Sequence, residues 1–369
     1  MPYRPKDIYR GRRKFRVPLN IFLFVLAFVI IGGVAMFYIL QQYIVYDVSG
    51  VSLQLPFGRE EEPPAVTEVT PEPTFEPIEV EIIWENPDFE DVDMGTWDEL
   101  EPIQGRFIPL GDVMNASSLG TIVSEITGGG FYTAAVLEMK DRSGQLAWPS
   151  TAATALSFAT YGTADVSEVV ERLHEAGKLA IAQISCFADN LLISRNWTVA
   201  LQSNGAAYRD SNGVSWLDPY NQTVRTYITD LAQELAAMGF DEVILADLYH
   251  PISEAGFTYT ATLRTPADPV VAVCQAGRRV AEALEGTGTA VSVRVDPGSL
   301  RGNLGSQTGQ DMDIFWRLFA RLYCATSPDI MASDKELAID KINGGNDQAR
   351  FVPIVGLIPE GSQSYVIAG

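Results

Sequence analysis

Apolar and polar positions alternate along residues 105–369 as short apolar runs separated by longer amphipathic runs. Short runs such as "YTAAVLEM" (132–139) and "DEVILAD" (241–247) have the length and composition of buried strands. Longer runs such as 166–177 and 221–239 repeat apolar residues at helical spacing and end in glycine. The pattern therefore predicts strands and helices in alternation.

The predicted elements are as follows. Strands are predicted at 106–111, 132–139, 178–187, 241–247, 289–295, 323–326 and 350–358, and helices at 118–130, 166–177, 221–239, 268–286, 310–322 and near 334–342. Helices of this length between strands imply parallel pairing through right-handed crossovers. About seven such units predict an α/β fold, a TIM-type (β/α)8 barrel.

Too few residues follow the seventh predicted strand to form a complete eighth β/α unit. Only "EGSQSYVIAG" remains, so either "SYVIAG" closes the barrel directly or the eighth unit is irregular or incomplete. A doubly wound open sheet is the alternative fold. No GxGxxG follows the first strand to support the nucleotide site that commonly accompanies that fold.

The N-terminal segment has a different pattern. Residues 1–20 hold seven Lys or Arg and one Asp, whereas residues 21–40 hold no charged residue. Twenty apolar residues in a helix span the roughly 30 Å hydrocarbon core of a bilayer. Because basic flanks remain cytoplasmic, we predict a cytoplasmic head at 1–18, a transmembrane helix in the lipid bilayer at 19–41, and an extracytoplasmic remainder. A cleaved signal peptide is the alternative, although the apolar stretch is longer than usual and no A-x-A-like site follows it.

Residues 42–104 are predicted to form a stalk and an acidic linker. Between Glu60 and Glu101 there are sixteen Asp or Glu, several prolines and no Lys or Arg. Such a segment repels itself and cannot bury a core, so we expect an extended, disordered spacer. The barrel domain, residues 105–369, is left only mildly acidic, with 18 Lys or Arg against 29 Asp or Glu.

Composition limits the ligand class. The net charge of −21 argues against nucleic acid as a partner, because phosphate binding needs clustered Lys and Arg. The three cysteines, Cys186, Cys274 and Cys324, are far apart, and there are only two histidines. The sequence therefore predicts neither a disulfide framework nor a metal site, and it points to no cofactor.

Polar residues gather where the predicted strands end. They are Glu138, Lys140 and Asp141 at the end of the second strand, Ser185, Asp189 and Asn190 at the third, Asp247, Tyr249 and His250 at the fourth, and Arg294 and Asp296 at the fifth. In a β/α barrel all these ends meet at one face, which is where sites are built. We therefore expect a functional site there.

Carboxylates from different strands facing one cavity are what glycosidic-bond hydrolysis needs. One protonates the leaving oxygen, and the other attacks the sugar or activates water. Asp247 is the best candidate for nucleophile or stabilising carboxylate because it ends a buried strand, and Glu138 or Asp296 would be the general acid. Sugar binding is predicted for Lys140, Asp141, Asp189, Asn190, Trp148, Trp216, Tyr249, His250 and Arg294. Helix capping or loop structure is the alternative for Asp141 and Asp189.

Several segments of the chain together resemble a known family. These are "AAVLEMKDRSGQLAWPS", "GVSWLDPYNQTVRTYITDLAQELAAMGFDEVILADLYHP" and "VSVRVD", in that order, with Trp216-Leu217-Asp218-Pro219 as the most specific piece. Their order and spacing resemble the putative glycoside hydrolase domain family over residues 105–357. The resemblance implies an α/β barrel distantly similar to the α-amylase-like enzymes.

Two departures from the family pattern affect the site. Gln183 stands where the family usually has Arg, and Asp247 is displaced by one residue from the family's strand-four aspartate. In a strand, that displacement turns a side chain to the other face unless an irregularity restores it. Two functions therefore remain open. The protein is either a membrane-anchored extracytoplasmic hydrolase of a polysaccharide or cell-wall glycan, or an inactive barrel acting as a glycan-binding or structural cell-surface module.

Overall fold

Parallel strands close into a barrel in the computed structural model of the protein. The structure describes residues 100–260, 268–339, 347–359 and 363–368, and the backbone of 44–47 and 50–53. Within these residues the barrel has eight strands: β1 Gln104–Ile108, β2 Ala134–Lys140, β3 Leu179–Ser185, β4 Glu242–Ala246, β5 Ala290–Val295, β6 Leu322–Ala325, β7 Phe351–Val355 and β8 Tyr365–Ile367. Each strand pairs in parallel with its neighbours along the chain, and β8 pairs with β1. The predicted barrel is confirmed, and the open sheet is excluded.

Helices connect the strands and cover the barrel. They are α1 Leu110–Val113, α2 Ala116–Thr127, α3 Ala153–Phe158, α4 Ser167–Glu175, α5 Asn190–Arg195, α6 Gln222–Ala237, α7 Pro269–Leu284, α8 Pro297–Gly302, α9 Gly305–Thr308, α10 Met312–Leu318, α11 Met331–Ile339 and α12 Asp347–Arg350. The long helices begin where the sequence supplies caps. The Asn221 side chain accepts the Thr223 N–H before α6, and Asp268 does the same for Val270 before α7.

Barrel closure follows the first of the two predicted routes. Tyr365 and Val366 of "SYVIAG" pair with Gln104 and Gly105 of β1, and Val366 also pairs with Ile354 of β7. The described residues between β7 and β8 contain no helix. A three-residue strand therefore completes the barrel in place of a full β/α unit.

Alternation along the strands separates two apolar clusters. The inner cluster fills the barrel and includes Val136, Ile181, Ile244, Tyr323 and Val352. The outer and larger cluster joins the strands to the helices. The inner side chains of β2 to β5 are thus the ones that can reach the C-terminal mouth of the barrel.

The N-terminal end of the barrel is closed by a polar group that we call the floor, formed by Glu242, Arg321 and Tyr323. Arg321 forms an ion pair with Glu242, and the Tyr323 hydroxyl donates to the same carboxylate at 2.7 Å. The Arg321 guanidinium also donates to the carbonyls of Ala349 and Glu101. All three side chains are buried, so the floor is a satisfied polar plug.

The predicted N-terminal segments fall mostly outside the described residues. The predicted transmembrane helix at 19–41 lies entirely outside them. Among the residues that the structure does describe, no helix combines the length and apolar character needed to cross a bilayer. In the unit formed by residues 1–80, the strands Ile44–Asp47 and Gly50–Leu53 pair as an antiparallel hairpin.

Candidate active site

The C-terminal ends of the strands surround a cavity of about 180 Å³ at the barrel mouth. Its charged and phenolic lining residues are Glu138, Arg142, Asp247, Tyr249, Arg294 and Asp296. The three carboxylates chosen from the sequence as catalytic candidates therefore lie together in one cavity. Their catalytic roles stay predictions.

Asp247 reaches the cavity through an unusual backbone conformation. Strand β4 ends at Ala246, so strict alternation would direct the Asp247 side chain away from the barrel interior. Asp247 instead has φ of 51°, in the left-handed region that non-glycine residues seldom adopt. The turn redirects its side chain into the cavity. It therefore compensates for the one-residue displacement from the family pattern.

Two neighbours hold the Asp247 carboxylate. Ser185, the last residue of β3, donates its hydroxyl to Oδ2 at 2.8 Å. The Arg142 guanidinium lies on the other oxygen, with 3.2 Å between Nε and Oδ1. Asp247 is thus placed as an oriented carboxylate with a charged partner.

Glu138 lies on the inner face of β2 and is mostly buried. Burial raises the pKa of its carboxyl group above the ordinary value, and the nearby Asp141 and Asp247 charges act in the same direction. The Leu110 N–H donates to Glu138 Oε2 at 3.0 Å, and this bond and the Arg294 charge oppose part of that increase in pKa. The carboxyl therefore retains its proton to higher pH than an exposed glutamate.

Asp296 lines the cavity but also begins a helix. Its Oδ2 accepts the Ser299 N–H at 2.7 Å and so caps the short helix α8. Its own backbone N–H donates to the Gln310 side chain at 2.9 Å. One carboxylate oxygen of Asp296 therefore holds the start of α8, while the residue also lines the cavity.

Lys140 and Asp189, predicted to bind sugar, form a buried ion pair at 3.0 Å with exposures of 1% and 0%. A shift in strand register between Glu138 and Lys140 turns Lys140 out of the barrel interior. Asp189 caps α5 by accepting the Leu192 N–H. Neither side chain lines the cavity, so the prediction is corrected: the pair joins β2 to the loop after β3.

Asp141 and Asn190 also have structural partners. Asp141 Oδ1 accepts hydrogen bonds from the Ser143 N–H and hydroxyl, which shapes the loop after β2. Asn190 Oδ1 accepts the Ser215 N–H at 2.7 Å. Both lie outside the cavity lining, and the loop alternative for Asp141 describes its place.

Of the predicted aromatic sugar-binding residues, some lie at the cavity and one does not. Tyr249 lines the cavity and receives a hydrogen bond from Arg142 at 3.4 Å. Trp216 is buried behind Tyr249, with 4.7 Å between ring centroids, and it also contacts the Arg142 guanidinium. Trp148 is buried and donates to Glu234 of α6. Trp148 is therefore a packing residue, whereas Trp216 supports two residues that line the cavity.

His250 is buried in an aromatic cluster beside the mouth. Its Nδ1 lies 2.8 Å from the Pro251 carbonyl, so this nitrogen carries the proton, and Nε2 accepts from the Tyr259 hydroxyl at 3.0 Å. Burial lowers the pKa of the imidazole, which keeps it neutral. His250 does not line the cavity, and its position favours a structural role over sugar binding.

Three polar lining residues were not among the predicted catalytic or sugar-binding residues: Arg142, Gln183 and Ser185. Ser185 ends β3 and shares its inner face with Gln183, so strand alternation could have identified both. Arg142 follows Lys140-Asp141 directly, but only the loop geometry directs it toward Asp247. Arg294, which was predicted, does line the cavity.

Across the described ranges, no group of three or more His, Cys, Asp or Glu side chains is arranged to hold a metal ion.

A closed parallel barrel with carboxylates gathered at its C-terminal mouth defines the class of barrel proteins to which many glycoside hydrolases belong. Residues 107–315, more than half of the chain, match the family described as "Putative glycosyl hydrolase domain". The protein belongs to this family, which confirms the resemblance seen in the sequence. No curated protein matches the chain.

Two solved structures are similar to the chain. The glycoside hydrolase domain of PgaB (BpsB) from Bordetella bronchiseptica is 11% identical, with a TM-score of 0.53 over 73% of this chain and 94% of that one. A hypothetical protein from Ruminiclostridium thermocellum is 23% identical, with a TM-score of 0.45 over 51% of this chain and 96% of that one. At these identities the likeness to PgaB supports the barrel fold alone.

Proposed function

We propose that the barrel hydrolyses a glycosidic bond in a polysaccharide or cell-wall glycan. The observation that carries the proposal is the left-handed turn at Asp247, which brings this carboxylate into the same cavity as Glu138. Hydrolysis needs two carboxyl groups in different protonation states at one site. Membership of the glycosyl hydrolase family supports the same chemistry.

The two carboxyl groups have environments that suit different roles. Glu138, whose pKa is raised mainly by burial, is the general acid that protonates the leaving oxygen. Asp247, held by Ser185 and Arg142, is the carboxylate that attacks the sugar or stabilises the positively charged transition state. Asp296, which lines the same cavity and caps α8, is the alternative acid. Tyr249 and Arg294 line the cavity and are placed to contact the bound sugar.

The test is a glycan panel offered to the full-length protein, with product formation measured by chromatography. We expect the wild type to cleave at least one glycan and Asp247→Asn to lose most of that activity, on the order of 10²-fold or more. Asp230→Asn, on the outer helix α6, is the matched control and should retain activity. Cleavage by Asp247→Asn at the wild-type rate would refute the assignment. Binding without cleavage by the wild type would favour the glycan-binding module instead.

We further propose that residues 19–41 anchor the protein in a membrane and that the barrel lies outside the cytoplasm. The support is the basic stretch at 1–20 followed by twenty uncharged apolar residues. Protease added to intact cells should digest the barrel, while a cytoplasmic marker protein remains whole. Complete protection of the barrel, together with its digestion after lysis, would contradict this orientation.

A further inference from the structure

Gln183 has a buried side-chain oxygen without a partner in the described residues, at the edge of the cavity. It lies on the inner face of β3, its side chain is 2% exposed, and no group in the described part of the chain hydrogen-bonds its Oε1. It lines the same cavity as Glu138, its partner in strand register. Buried polar atoms are almost always paired, so an unpaired one facing a cavity indicates a place for a ligand donor.

Arg294 is the second available group. It lines the cavity from β5 with its charge near Glu138, and within the described residues its guanidinium makes no hydrogen bond or ion pair. Arg142, the other cation of the cavity, is already engaged by Asp247 and Tyr249. The cavity therefore presents an unpaired neutral acceptor at Gln183 Oε1 and a set of donors at Arg294.

The charges of the cavity limit what these two groups can bind. Its lining contains three carboxyl groups, on Glu138, Asp247 and Asp296, but only two guanidinium groups, on Arg142 and Arg294. A carboxylate on the ligand would therefore gain from Arg294 but would be repelled by these neighbours. A neutral amide avoids that repulsion and still offers a carbonyl to Arg294 and an N–H to Gln183.

We propose that Gln183 and Arg294 form a subsite that recognises an acetamido substituent on the sugar. The proposal rests on the proposed glycan-hydrolase function and deepens it, because it names the substrate class as N-acetylated glycans. The acetamido N–H donates to Gln183 Oε1, and its carbonyl accepts from the Arg294 guanidinium. Gln183, which replaces the Arg usual in this family, would thereby set specificity in this protein.

The experiment measures binding separately from cleavage. The full-length protein carrying Glu138→Gln is titrated against sets of glycans that differ only in having an acetamido, amino, hydroxyl or carboxylate group at one position. We expect the acetamido member of at least one set to bind about tenfold more tightly or better, about 1.4 kcal/mol. Adding Gln183→Leu should remove that preference.

Stability distinguishes recognition from a structural role of Gln183. Because Oε1 has no partner in the protein, Gln183→Leu should unfold at the same urea concentration as its parent or at a higher one. Gln233→Leu, on the exposed face of α6, is the matched control and should preserve both the preference and the stability.

Each other result has a defined meaning. Equal binding of acetamido and hydroxyl glycans, or a preference for the carboxylate, overturns the subsite while leaving hydrolysis intact if the wild type cleaves those glycans. Acetamido-selective binding without cleavage by the wild type preserves the subsite and overturns hydrolysis. Failure to bind any glycan overturns both proposals.

Discussion

The two ends of the barrel both carry a carboxylate, an arginine and a tyrosine, yet they are arranged in opposite ways. At the floor, Glu242 is bonded by Arg321 and Tyr323, and every one of these groups is buried. At the mouth, Glu138 has a raised pKa, Asp247 has a left-handed backbone, and Gln183 Oε1 lacks a partner in the described structure.

This difference separates stability from function. A saturated polar plug leaves no bonding capacity for a ligand, so the floor serves to hold the strands together. The mouth leaves hydrogen-bonding groups unpaired and a backbone residue strained, and both lower stability. Such a cost is expected where a bound ligand completes the site. Changes at the floor should therefore alter unfolding, and changes at the mouth should alter catalysis.

The largest effect is expected at the floor. Arg321→Met would leave the Glu242 carboxylate buried without its cationic partner, which typically costs about 3–5 kcal/mol in free energy of unfolding. Urea unfolding followed by circular dichroism measures the loss. The protein that remains folded should keep the wild-type kcat/KM.

Arg278→Met is the matched control for this experiment. Arg278 pairs with Glu282 on the exposed surface of α7, where an i,i+4 pair contributes only about 0.3–0.5 kcal/mol. Equal losses from the two arginine substitutions would remove the distinction between a buried floor and an ordinary surface pair.

At the mouth, Glu138→Gln should lower kcat/KM by about 10²-fold or more without unfolding the protein. The loss should be smaller for aryl glycosides with acidic leaving groups, since these need little protonation on departure. Wild-type activity should fall as pH rises through the elevated Glu138 pKa, because the acid must be protonated. Equal losses for both leaving-group types would argue against an acid role, and Glu175→Gln at the exposed end of α4 should change neither activity nor its pH profile.

Much of the fold could be predicted from sequence because it depends on periodicity. Apolar runs at strand length and amphipathic runs at helical length predicted seven of the eight strands of the described barrel, and closure by "SYVIAG" was one of two options left open. Clustering of Glu138, Asp247 and Asp296 followed from their common place at strand ends.

The errors at the site come from residues where alternation fails. The register shift after Glu138 turns Lys140 outward to Asp189, whereas the left-handed residue after Ala246 turns Asp247 inward. A β-bulge and a positive φ at an aspartate depend on packing around the whole barrel mouth, so local sequence preference does not specify them. These two irregularities decide which charged residues reach the cavity.

The Asp247 backbone provides a smaller test of stored strain at the mouth. Asp247→Gly and Asp247→Ala both lose the bonds to Ser185 and Arg142, but only glycine adopts φ of 51° without strain. The Gly variant should therefore be about 1 kcal/mol more stable than the Ala variant in urea unfolding, and both should be inactive. At Ser124, in the interior of α2, the order should reverse because glycine weakens a helix. If the Ala variant were more stable than the Gly variant at both positions, the backbone at Asp247 would be unstrained.

The smallest effect is the pH dependence of stability that Glu138 contributes. Its pKa is raised in the folded protein, so folding is favoured most when the group is protonated in both states, and that contribution is lost as pH rises through the folded pKa. Glu138→Gln cannot ionise, so its melting temperature relative to wild type should increase between about pH 4 and pH 7. The stability gained by Glu138→Gln should be smaller than the difference between the Gly and Ala variants at position 247. Glu138 is partly open to the cavity, so water screens its charge. A Tm difference that is constant with pH, as expected for the exposed control Glu175→Gln, would show that the mouth does not bias Glu138 toward its protonated form.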